Sequence, residues 1–172
     1  MTSFKQIKPE AITDNPFKLV GADWMLITAG TIDKYNMMTA SWGGFGVLWH
    51  QNVCFCVIRP QRYTYEFMEK GEYFSLCFFR EKYRHILEFC GSNSGRDVNK
   101  TEKAGLTPIE GEFGAVYFQQ AKMVIIARKI YHQQIDPANF VDPQIENNYP
   151  NKDYHRMYVG KVIRVLLNSR SG

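Results

Sequence analysis

The 172-residue sequence predicts a mainly β, α+β domain: an antiparallel barrel with short peripheral helices. Three observations lead there. Short β-prone apolar runs recur along the chain with turn residues between them, only two stretches carry helical spacing, and no repeated strand–helix–strand pattern supports a layered parallel sheet. The length suits one domain, residues 1–172, and a content of 45% hydrophobic and 15% aromatic residues is that of an ordinary globular chain.

Taken in order, Trp24 to Thr31 is an apolar β-prone run, Asp33 and Lys34 punctuate it, and Met37 to Trp42 returns as the second arm of a hairpin. Gly43, Gly44 and Gly46 are expected to interrupt regular structure before a strand at Val53 to Ile58. Pro60 closes that strand because it has no N–H to give a ladder. Thr64 to Lys70 reads as a short helix capped by Gly71, and Tyr73 to Phe79 resumes strand character. Tyr83, Ile86, Leu87 and Cys90 recur on one helical face, with Gly91 expected to end the helix. Met123 to Tyr131 is a further strand, and Tyr158 to Leu167 alternates as a terminal one. Between them, Ile135 to Asp153 is rich in Pro, Asn and Asp and has no periodicity; such a loop is expected to cover a site or a partner subunit.

Charge and cysteine usage narrow the function classes. The formal charge of +4, from 21 basic and 17 acidic residues, fits phosphate-bearing ligands and falls short of a nucleic-acid footprint. Apolar runs such as Met123 to Ala127 are too short to span a bilayer, and neither terminus reads as an export signal, so no membrane is expected. Cys54, Cys56, Cys77 and Cys90 form no CxxC pair and have no His at ligand spacing, which predicts buried free thiols, no metal and a reducing cytoplasm. The glycines at 43, 44 and 46 do not make a GxGxxG dinucleotide fingerprint.

Two patches carry chemistry. Asn36-Met37-Met38-Thr39-Ala40-Ser41-Trp42 is an amphipathic strand ending in small and short polar side chains, a surface against which a flat polar ring can lie; Trp42 adds a possible edge contact or is core. Arg59-Pro60-Gln61-Arg62-Tyr63-Thr64 supplies two cations and a hydroxyl at the start of a helix, where free backbone N–H groups favour a phosphate. A ring patch beside a phosphate patch suggests a flavin phosphate. Taken singly, Arg59 and Arg62 also read as solvated charges and Thr64 as a helix cap. The segment from Ser94 to Lys100 is open between cofactor contact and a helix-start loop in which Asp97 caps and Lys100 is solvated. A lone His155 reads as structural or exposed.

At these residues, and at Cys90 to Lys100 and Tyr158-Val159-Gly160-Lys161-Val162, the chain resembles the flavin reductase-like family, most closely its flavoredoxin-like branch. The resemblance implies an FMN-binding split β-barrel of antiparallel Greek-key type that pairs as a homodimer and holds FMN without a covalent bond. It implies that Asn36, Met38, Thr39, Ala40 and Ser41 face the ring or its ribityl chain and that Arg59, Arg62 and Thr64 hold the phosphate. Ser94, Gly95, Arg96 and Lys100 match a second polar loop that closes on the phosphate side or contacts a partner. Tyr63 stands where many relatives have a histidine beside the threonine, and it completes the cofactor-binding set with Trp42.

The expected function is an oxidoreductase that takes electrons from NADH, NADPH or a donor protein and passes them through FMN to free flavin, a metal ion or an acceptor protein. No catalytic side chain is required, because the flavin itself accepts the hydride. A non-catalytic flavin- or haem-binding barrel is the alternative from another class. A small single-stranded nucleic-acid binder is a third, opposed by the modest net charge.

Overall fold

The apolar runs of the sequence become the central strands of one antiparallel sheet. The computed structural model describes residues 4–169. In chain order its strands are β1 (Phe4–Ile7), β2 (Met25–Thr31), β3 (Lys34–Ala40), β4 (Gly43–Leu48), β5 (Gln51–Ile58), β6 (Tyr73–Phe78), β7 (Pro108–Glu110), β8 (Val116–Phe118), β9 (Met123–Gln134) and β10 (Arg156–Asn168). Helix α1 (Tyr63–Lys70) joins β5 to β6, and α2 (Arg84–Ser92) and α3 (Lys100–Lys103) lie between β6 and β7. The main sheet runs β3-β2-β6-β9-β10-β5-β4, and β1 pairs the far end of β10 beyond β5. All of these pairings are antiparallel, and the strands curl into a split barrel whose terminal strands are β3 and β4. Among the described residues no helix is long and apolar enough to cross a membrane.

The reason β2, β6 and β9 read as continuous apolar runs is that both of their faces are covered. Successive side chains on a strand point to opposite faces. Met25, Ile27 and Ala29 of β2, Phe74, Leu76 and Phe78 of β6, and Met123, Ile125 and Ala127 of β9 enter one core with Met68 of α1 and Tyr158 of β10. Leu26, Cys77, Val124 and Ile126, the residues between them, enter a second core with Ile86, Leu87 and Cys90 of α2 and with Tyr117 and Phe118. Each large side chain fully buried this way contributes about 1.5–3 kcal/mol, and truncating one, as in Phe74→Ala, costs about 3–5 kcal/mol. All four cysteines are free and buried in these two cores.

Two local expectations are corrected. The glycines at 43, 44 and 46 do not interrupt the sheet: they form β4, paired from Gly43↔Cys56 to Leu48↔Gln51. Gly43 has φ 153° there, and a Cβ would sit 2.5 Å from the Phe55 carbonyl oxygen, so glycine is what lets the strand approach its neighbour. Helix α2 runs past Gly91 to Ser92, where Asn93 caps it, its backbone N–H and its Nδ2 both donating to the Phe89 carbonyl. Gly71 does close α1, by an extended conformation in which its N–H donates to Phe67 O at 2.8 Å.

The segment 135–153, expected as a long loop, is a strap that carries two short 3-10 turns. Asp136 and Asp142 cap two short 3-10 turns, Pro137–Asn139 and Pro143–Asn148, each carboxylate accepting a backbone N–H at 2.9 Å. Tyr149 packs against Phe140 and Tyr154, and Asp153 ties the strap to the end of β5 by accepting from Arg59 at 2.6 Å and Gln61 at 2.5 Å. This attachment fixes the strap beside the residues considered next.

Candidate functional site

The end of β3, the end of β5 and the start of α1 converge, and the polar loop after α2 closes over them. Two adjoining cavities lie at this junction, and Arg62 lines both. One, of about 260 Å³, is bounded by Met38, Thr39, Ala40, Ser41, Trp42, Val57, Arg59, Arg62 and His155. The other, of about 170 Å³, is bounded by Asn36, Gln61, Arg62, Tyr63, Thr64, Lys100 and residues 91–95, the end of α2 and the loop after it.

The smaller cavity is cationic. Arg62 is the N-cap of α1 and makes no side-chain cap there; Tyr63 and Thr64, the first residues of the helix, line the cavity, while the Tyr65 N–H already donates to Arg62 O at 2.9 Å. Its Nη2 is buried without a partner, and burial holds the guanidinium below its usual pKa. Thr64 is fully buried, its Oγ1 accepting from Asn36 Nδ2 at 2.8 Å, which fixes both side chains. Gly95 passes so close that a Cβ there would lie 2.0 Å from Asn36 Oδ1.

Lys100 is buried rather than solvated, and its cap is Asn99, whose side chain accepts from the Glu102 N–H; Asp97 has no such role. The ammonium donates to Met37 O at 2.9 Å and Cys90 O at 2.8 Å, stapling β3 to the end of α2. Burial, with the Arg62 charge adding to it, pushes Lys100 down to about 8.

The larger cavity is lined by the end of β3, by Trp42 and His155, and by two arginines, Arg59 and Arg62. Thr39 Oγ1 donates to Leu87 O at 2.5 Å, fixing β3 against α2. Trp42 leaves the end of β3 and packs on His155, ring centroids 4.9 Å apart. His155 Nδ1 pairs with the Tyr149 hydroxyl at 2.9 Å, and burial, with Arg59 nearby, pushes its pKa down to about 4, so the imidazole is neutral at pH 7. Arg59 stands between the cavity and the strap: it donates to Asp153 Oδ2 and to Asn148 O at 2.9 Å, and lies 5.2 Å from the Tyr149 ring centre.

Of the residues singled out from sequence, Asn36, Met38, Thr39, Ala40, Ser41, Trp42, Arg59, Arg62, Tyr63, Thr64, Ser94, Gly95 and Lys100 line this pair of cavities. Arg96 does not. It pairs with Glu66, donates to Gln61 O at 3.2 Å and lies over the Tyr63 ring at 4.7 Å, bounding a neighbouring cavity instead. Gln61, Gly91, Ser92 and Asn93 line the pair of cavities too, from within the runs already singled out, and His155 and Val57 are additions. Only the proximity of His155 to the last strand hinted at its position.

The donor set fits a phosphorylated planar ring. An unpartnered buried guanidinium N–H, a fixed hydroxyl and helix N–H groups match a phosphate, and the small side chains of β3 beside Trp42 leave a flat surface. The residues show no metal-ligand cluster: among the described residues no group of three or more His, Cys, Asp or Glu is placed to hold a metal.

The family model described as "Flavin reductase like domain" matches residues 18–172. Among solved structures, an FMN-binding domain of a flavin reductases-like enzyme from Shewanella baltica OS155 superposes with a TM-score of 0.70 at 16% identity, covering 98% of this chain and 78% of that one. Flavoredoxin of Desulfovibrio vulgaris (Miyazaki F) gives 0.67 at 21% identity over 96% and 78%. An NADH:FAD oxidoreductase of Streptomyces globisporus C-1027 gives 0.63 at 12% identity over 85% and 81%. A search of curated proteins found no match.

Proposed function

The chain belongs to the flavin reductase like domain family, and from that premise we propose that it is an FMN-dependent oxidoreductase. In this reading it takes electrons from NADH, NADPH or a donor protein and passes them to free flavin, a metal ion or an acceptor protein. The observation that carries the proposal is Arg62: a buried guanidinium whose Nη2 has no partner, at the start of α1, shared by the two adjoining cavities.

The division of work among the side chains follows. Arg62, Thr64 and the first N–H groups of α1 bind the phosphate, and Asn36 holds the Thr64 hydroxyl in place. Lys100 adds positive charge behind the phosphate and fixes β3, against which the ring lies. Arg59 positions the strap through Asp153, and the strap positions His155. Neutral His155 and Trp42 wall the ring cavity, limit water there and offer no proton at pH 7. The bound flavin supplies the hydride and electron chemistry, so no side-chain nucleophile or acid is needed.

A homodimer belongs to the same reading. Val47, 74% exposed, lies with Leu48 on β4, Trp49 in the β4–β5 turn and Phe55 on β5 at the β4 edge of the sheet, and Trp49 packs edge-on against Tyr131. An apolar edge of this kind is covered most simply by a second copy. Four buried free thiols support a reducing compartment such as the cytoplasm.

The test is the visible spectrum of the protein purified and then incubated with FMN, followed by anaerobic addition of NADH and of NADPH. A bound-flavin spectrum that bleaches with either nucleotide supports the reading. A protein that binds no flavin overturns it, and one that binds FMN but is bleached by neither nucleotide nor a chemical donor is a binding module.

A further inference from the structure

A cavity of about 520 Å³, twice the volume of the ring cavity, lies on another face of α1 and shares only Tyr63 with the pair described above. Its walls are aromatic. Tyr63 and Phe67 of α1 meet edge to face with centroids 5.0 Å apart, and Tyr73 and Phe113 stack in parallel at 4.8 Å with planes 10° apart.

Phe113 is the unusual member. It has φ 58° and ψ 22°, a left-handed conformation that a bulky residue adopts at a cost and that persists only where its surroundings impose it. The surroundings do so. Glu112 is held by Arg164 through two contacts, Nε at 2.8 Å and Nη2 at 2.9 Å, and the turn is closed by Gly111 N–H donating to Ala115 O at 2.7 Å. Phe113, a residue 60% exposed, is thereby braced on Tyr73 and lines the cavity.

The charges around the cavity are unbalanced. Its two carboxylates are already paired, Glu66 with Arg96 and Glu72 with Arg128 at 2.7 Å. Its two lysines, Lys34 at the start of β3 and Lys70 at the end of α1, have no acceptor among the described residues. Aromatic walls with two uncommitted cations at the rim match a flat ring that carries one negative group. We propose that this cavity binds an aromatic carboxylic acid, as a site separate from the flavin cavities.

The experiment uses the full chain saturated with FMN, so that the flavin cavities are filled, with 1-naphthoate and its neutral counterpart 1-naphthamide titrated by calorimetry and by saturation-transfer NMR. 1-Naphthoate should bind without releasing FMN and more tightly than 1-naphthamide. Phe113→Ala, at an exposed position, should weaken both probes about tenfold through the lost ring contact. Lys34→Gln with Lys70→Gln should bring 1-naphthoate down to the affinity of 1-naphthamide and leave the latter unchanged. Equal affinities for the two probes, indifference to Phe113→Ala, or competition with FMN would each overturn the proposal. So would binding that vanishes as the protein self-associates, since that would assign the cavity to a second copy. If the chain binds no FMN, the naphthoate titration is run on the protein alone and the two proposals fail or stand separately.

Discussion

Replacing Arg62 by alanine separates ligand binding from folding in a way few other changes here can. The guanidinium is buried with Nη2 unpartnered, so the protein alone carries the desolvation cost of a cation without a matching contact. Removing it should leave the melting temperature of the flavin-free protein unchanged or raised. The phosphate, in contrast, loses a charge-assisted hydrogen bond worth about 1.5–3 kcal/mol, which raises the FMN dissociation constant about 10- to 150-fold. Thermal unfolding reads both quantities. With FMN at 100 times the wild-type dissociation constant, the wild type gains about 2.7 kcal/mol, whereas a variant weakened 100-fold gains about 0.4 kcal/mol. Arg62→Lys should restore part of the affinity, since it returns charge without the planar fork. Unchanged FMN affinity in Arg62→Ala, or a flavin-free protein that is itself strongly destabilised, would show that the guanidinium serves the fold and not a phosphate.

The remaining expectations address the thiols, the strap and the polar loop. Burial pushes Cys77 and Cys90 up to about 11 and Cys54 to about 12, so thiolate is negligible at pH 7, and Cys90→Ser should leave the anaerobic rate of FMN reduction near wild type by stopped flow. His155 has a folded pKa of about 4 against 6.5 unfolded, so below pH 6.5 the unfolded chain takes up a proton that the folded one refuses. Stability is therefore lost as pH falls from 6.5 to 4, and His155→Gln should flatten that part of a urea-unfolding profile; an unchanged profile would mean that the imidazole is not held neutral. Gly95→Ala should displace Asn36 and weaken FMN binding, because the new Cβ would fall 2.0 Å from Asn36 Oδ1; a fluorescence titration matching wild type would show that the loop yields freely.

How far the sequence could be read depended on the range of the contacts. Both cavities are lined mainly by continuous stretches, 36–42, 59–64 and 91–95, so the residue types that make a ring surface and a phosphate cradle sit side by side in the chain. The strands buried on both faces were legible as apolar runs. Strand β4 was not, since its glycines carry the usual signal of a break, and the need for Gly43 appears only when the Phe55 carbonyl is seen opposite. The short strands β1, β7 and β8 offer too few residues for a period to show.

Long-range pairings were hidden altogether. Arg59 and Arg96 carry the same charge and lie near the same motifs as Arg62. Yet Asp153, 94 residues away, engages the first, and Glu66 engages the second. Nothing local to Arg62 marks it as the one with an uncommitted N–H. Likewise Lys100 reads as a solvated lysine until Met37 and Cys90 supply the carbonyls that hold it inside.

The central claim is that Arg62, Thr64 and the start of α1 form the phosphate end of a flavin site, and the most direct test compares FMN with riboflavin, which differs only by that phosphate. Calorimetric titration of the same preparation should show FMN binding at least about tenfold more tightly than riboflavin, the least expected from one charge-assisted contact. Equal affinities for the two, or no binding of either, would contradict the account.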